Sequence, residues 1–144
     1  MGIRRKGREY ALQALYLTDV AKVDIAKAIR SVSIDEKSDP TAKDFAKRLA
    51  QGAYDNLARL DEVIVKHTKN WEIGRMAALD RNLLRLGAFE IMYELETPVS
   101  VIIDEAVEIA KLYSTDDSSK FVNGILDKIK RERPIFAPNE KKRP

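Results

Sequence analysis

Apolar residues recur at three- and four-residue spacing along most of the chain, and no stretch alternates apolar and polar as a half-buried strand would. Ala11, Leu12, Leu15 and Tyr16 form one stripe, which predicts a helix through the stretch 4–16. Ile25, Ala28, Ile29 and Val32 predict a second, weaker helix over 24–36. Asp39 and Pro40 then read as a cap and a first-turn proline, where a missing N–H costs nothing. From there Phe45, Leu49, Ala53, Leu57, Leu60 and Ile64 predict one long helical stretch to about Thr68. Gly52 lies inside it, and a mid-helix glycine costs ~1 kcal/mol relative to alanine, so close helix packing is the expected reason for it.

The richest apolar segment predicts a short helix near 75–79 and a longer one from Asp80 to Leu95. The longer one is apolar on so many sides that it is expected at the centre. Pro98 breaks the chain, Val101 to Tyr113 forms the next helix, and "STDDSS" supplies a loop with several candidate N-caps. A last helix carrying Phe121, Val122, Ile125, Leu126 and Ile129 stops before Pro134. The expected fold is all-α: a single compact domain of six or seven helices over 1–134, followed by a basic, disordered tail over 135–144.

A chain of 144 residues buries a core without staples, and it has no cysteine, so disulfides, thiolate catalysis and cysteine-based zinc sites are excluded. No apolar run approaches the ~20 residues of a membrane span, and the cationic start lacks the apolar core of a secretory signal. These features predict a soluble, cytoplasmic protein. The net charge of +3 conceals a strong asymmetry. Residues 1–8 carry +4 and residues 128–144 carry +5, which leaves −6 on residues 9–127. Basic ends on an acidic body suit a polyanion. Arg4, Arg5, Lys6 and Arg8 are unusual in another way, because they stand at the helix end whose dipole disfavours cations.

Little else points to chemistry. His67 is the only histidine and reads as a residue of a helix end; Asp104 and Glu108 could share a helix face, where solvation is the ordinary role. No nucleophile, base and oxyanion site assemble, and no phosphate-binding glycine loop is present, so a binding protein is expected rather than an enzyme. "DDSSKFVNGILDK" is the second unusual stretch. Asn123-Gly124 is a poor helix pair inside an otherwise helical pattern. Either Phe121 is core and Gly124 lets two helices approach, or the stretch is functional.

Taken together, "RRKGREYALQALY", "LDRNLLRLGAFEI", "PVSVIIDEAVEIAKLYS" and "DDSSKFVNGILDKI" resemble the NusB family of bacterial transcription antitermination factors, in the family's order and over most of the chain. The resemblance implies two packed helical bundles. It implies binding of single-stranded boxA RNA in ribosomal RNA leader transcripts, jointly with the ribosomal protein NusE, and action within the RNA polymerase antitermination complex. It places Arg4, Arg5, Lys6 and Arg8 at the RNA, with Lys120, Phe121 and Asn123 beside them. Asp117 matches an acidic position on that surface, where it would oppose phosphate and temper affinity. Tyr16 and Asp80 match the partner-binding face, and Gly7 among the cations is expected to loosen the helix start. No cofactor is implied. The alternative reading is a free-standing helical interaction scaffold with no specific RNA role. The apolar surfaces leave a homodimer open.

Overall fold

A computed structural model of the chain describes residues 2–32, 39–69 and 72–134. The expected tail over 135–144 and the end of the second predicted helix lie outside the described residues. Within them the protein is all-helical. Its α-helices are α1 (Gly2–Ala21), α2 (Ile25–Val32), α3 (Pro40–Asp55), α4 (Leu57–Thr68), α5 (Ala78–Tyr93), α6 (Val99–Tyr113) and α7 (Asp116–Ile129). Asp39 caps α3 as expected, its carboxylate accepting the Thr41 N–H at 2.7 Å with Pro40 in the first turn. Thr115 caps α7, accepting the Ser118 N–H at 3.1 Å.

α1, α5 and α6 each begin two residues earlier than the sequence reading has them, and α1 runs on to Ala21; two further differences are larger. The long stretch to Thr68 is two helices, because Asn56 turns out of the ladder: its side-chain amide donates to the Gly52 carbonyl at 2.8 Å, and its backbone N–H to Gly52 and Ala53. The short helix expected near 75–79 is a single 3₁₀ turn at Ile73–Arg75, followed by α5 from Ala78.

The helices form two packed groups, α1–α3 and α4–α7, with α5 touching α1, α3, α4, α6 and α7. Every residue from Asn82 to Met92 is buried, so α5 is the central helix. Burying such a helix brings polar groups inside, and each must be met. Arg85 forms a bidentate pair with Asp61 (2.7 and 2.8 Å), while Asp19 accepts from Arg81 and Asn82, both at 2.8 Å. Burial works against the charged form of Asp19, but the hydrogen bonds of Asn82 and Arg81 outweigh it and hold the carboxyl below its ordinary range. Arg133, just past the last turn, donates to the carbonyls of Ile91 and Glu94 at 2.8 and 3.0 Å, which caps the end of α5.

Glycine permits close approach at three crossings, of which Gly87 of α5 against Leu126 of α7 is one. A Cβ on Gly52 would fall 2.3 Å from the Phe89 ring, so α3 meets α5 there as expected. A Cβ on Gly7 would fall 2.8 Å from Phe45. Gly7 therefore seats α1 against α3 and does not loosen the helix start.

Candidate nucleic-acid interface

At 100° per residue Arg4, Arg5 and Lys6 point to three sides of α1, and Arg8 returns to within about 40° of Arg4, so the four cations cannot share one face. Arg8 points inward. It is 3% exposed and forms a bidentate pair with Glu90 of α5, itself 2% exposed, at 2.8 and 2.7 Å. This corrects the expectation that Arg8 contacts RNA: its guanidinium is buried and engaged on both arms. Burial pushes the Glu90 carboxyl up, with the Arg8 hydrogen bonds and charge pulling against it.

Arg5 lies on another side of α1, where it clasps Glu105 of α6 with both arms at 2.9 and 2.8 Å. The clasp lowers the Glu105 carboxyl and raises the guanidinium, in each case chiefly through the hydrogen bond between them. The cations therefore tolerate the dipole partly because carboxylates of α5 and α6 already face two of them. A depressed carboxyl stabilises the fold above its unfolded pKa and loses that contribution as pH falls through its folded pKa. Glu105→Gln is accordingly expected to lower Tm at pH 7, with the difference from the parent protein shrinking toward pH 3. A pH-independent difference would assign the effect to packing.

Arg4 and Lys6 remain toward solvent. Arg4 meets no carboxylate among the described residues and lies over the Phe45 ring at 4.6 Å. Lys6 is 54% exposed, 3.9 Å from Glu9 and over the Tyr10 ring at 5.8 Å. The solvent-facing cations on α1 are thus Arg4 and Lys6.

The second stretch bears out one half of the packing alternative and not the other. Phe121 is half-buried against the core, and it shares a pocket of about 410 Å³ with Met76, Asp80 and Asp117. Asp80, assigned to the partner face, thus sits with two residues assigned to RNA, and its carboxylate accepts the Ser118 hydroxyl. Lys120 and Asn123 are exposed on α7. A Cβ on Gly124 would meet open space, so helix approach does not explain that glycine. Tyr16 lines a separate apolar groove of about 360 Å³ with Leu12, Leu17, Val32, Leu79 and Tyr113. The groove reaches toward Lys6, because the Tyr113 hydroxyl donates to Glu9 at 2.7 Å, one turn from that lysine. Burial first, and then Glu9, push the Tyr113 hydroxyl up.

His67 stands 2.9 Å from Glu132, a contact that ties the end of α4 to the turn after α7. Among the described residues no group of three or more His, Asp or Glu is placed to hold a metal ion. No helix among them is long and apolar enough to cross a membrane.

A model of the NusB family matches residues 5–131. The transcription antitermination protein NusB of Elusimicrobium minutum is 44% identical, over 92% of this chain and 96% of its own. The protein of the same name from Bacillus subtilis is 43% identical, over 90% and 95%. Among solved structures, T. maritima NusB superposes with a TM-score of 0.85 at 40% identity, covering 96% of this chain and 95% of that one. A chain from the crystal structure of antitermination factors NusB and NusE in complex with dsRNA superposes with a TM-score of 0.83 at 27% identity, covering 91% and 98%.

Proposed function

This chain belongs to the NusB family, and we propose that it binds boxA-type single-stranded RNA jointly with NusE and delivers that RNA to transcribing RNA polymerase. The observation that carries the reading is the continuity along one side of α1: exposed Lys6 leads through Glu9 and Tyr113 into the apolar groove at Tyr16, with exposed Arg4 on the other side of the same turn. One helix thereby offers a phosphate-binding edge and a protein-binding groove side by side. Phosphate contacts hold the strand, while Phe121 in its pocket beside Asp117 supplies an aromatic face for an unstacked base. Tyr16 and Asp80 face the partner. The role is binding without a chemical step, and its place is the cytoplasm, where transcription occurs. Support for the RNA and the partner comes from the solved relative that holds NusB, NusE and RNA in one complex.

The test is fluorescence anisotropy with a boxA-like RNA and a scrambled control, with and without NusE, across a salt series. Arg4, Lys6 and Lys120 give three phosphate contacts, for a log–log salt slope near −2.1 at ~0.7 per contact. Preference for the boxA-like strand, tightened by NusE, is the expected result. NusE binding with no RNA preference would move the protein to the scaffold class. In the same assay Asp117→Asn is expected to raise affinity by removing like charge beside the strand. Weaker binding would show that Asp117 orders the surface instead.

A further inference from the structure

Arg48 had no role in the sequence reading, yet it completes a second cationic site. Three guanidinium groups gather on Phe45: Arg4 at 4.6 Å, Arg8 at 5.3 Å and Arg48 at 5.4 Å from the ring centroid. Arg8 is neutralised by Glu90. Arg4 and Arg48 come from different helices, stand toward solvent, and line one open cleft of about 690 Å³ with Tyr93 and the α5–α6 connection. Arg48 is 58% exposed and donates one arm to Glu94 at 2.7 Å; its remaining N–H groups meet no acceptor among the described residues. Two like charges drawn onto one ring repel each other; Glu94 relieves this on one side of Arg48, and an anion bridging the two guanidiniums would relieve it on the other. Phe45 holds both by cation–π attraction and so fixes the gap between them.

We infer that this cleft is a second RNA subsite, in which Arg4 and Arg48 hold a backbone phosphate and Tyr93 stacks the adjoining base. Tyr93 is 43% exposed and is backed by Phe89, with ring centroids 5.2 Å apart and planes 27° from parallel. A backed, exposed ring beside paired cations is the arrangement that binds single strands without reading sequence. Two acids line the cleft. Glu94 is engaged by Arg48, whereas Glu96 on the connection repels phosphate from its own side. That repulsion orients the nucleotide, with the phosphate at the α1–α3 end and the base toward Tyr93. Arg4 belongs to both sites, so the strand that meets α1 continues into the cleft.

The inference rests on the RNA-binding reading, and length dependence separates the two. The probes are the boxA-like RNA and the same RNA extended by three nucleotides at each end. Arg48→Gln is expected to weaken the extended RNA about fivefold at 0.1 M salt and to flatten its salt slope by about 0.7. Tyr93→Leu is expected to weaken it at least about fivefold with the slope unchanged. Neither variant alters binding of the short RNA. Arg59→Gln, which removes an exposed cation paired with Glu62 on α4, is the control for general charge loss. Parent-like affinity and slope for the extended RNA in both variants would overturn the subsite and leave the first reading standing. Failure of the parent protein to prefer the boxA-like RNA over the scrambled strand would overturn both.

Discussion

Arg8→Met is expected to cost about 3–5 kcal/mol of folding stability, the usual result of removing one partner from a buried ion pair. A small domain has only about 5–15 kcal/mol in total, so the variant should be close to unfolding. The reason is Glu90. It is 2% exposed on the central helix, and Arg8 meets both of its oxygens. With Arg8 gone, burial leaves that carboxyl two choices: an uncompensated charge, or protonation at neutral pH. Either one costs stability. The double variant Arg8→Met with Glu90→Leu removes both charges and should recover most of the loss, since apolar replacements for buried pairs are often neutral or better. Urea unfolding measures both. In the recovered double variant the RNA salt slope should match that of the parent protein, because Arg8 does not reach the surface. A stable single variant with a flattened slope would return Arg8 to the RNA.

That pair shows where sequence reasoning stops. Helix positions were legible because burial at three- and four-residue spacing is a local signal. Asp39, Pro40, Pro98 and Thr115 announce boundaries through their own backbone and side-chain chemistry. The break at Asn56 was hidden because the apolar spacing runs on through Leu57 and Leu60 across it. The fate of each cation on α1 was not a local property at all. Spacing says that Arg4 and Arg8 share a side, but only the arrival of α5 decides that Arg8 meets a buried carboxylate. One signal was available: Arg85 and Glu90 are charges on a helix apolar on nearly every side, and a buried charge needs a partner. Arg48 carried no such mark, because its role depends on Phe45 holding it beside Arg4. Gly52 and Gly7 make the same point in packing, since each is explained by a ring on another helix.

The largest loss of RNA binding is expected from Arg4→Gln combined with Lys6→Gln. These are the two cations of the first turns that no carboxylate holds closely, Glu9 standing 3.9 Å from Lys6. Losing two phosphate contacts should flatten the log–log salt slope by about 1.4 and weaken binding about 25-fold at 0.1 M salt, with the difference vanishing toward 1 M. Stability should stay within about 0.5 kcal/mol of the parent, because relief of two cations from the dipole at the start of α1 offsets the loss of the Arg4–Phe45 contact. That separates the binding loss from unfolding. Arg5→Gln gives the internal comparison. Its guanidinium is committed to Glu105, so its replacement should lower Tm while moving the slope less than the double variant does. The reverse order would mean that RNA draws Arg5 away from Glu105, making the clasp between α1 and α6 part of recognition. A slope untouched by the double variant would instead move the phosphate contacts to Lys120 and the exposed face of α7.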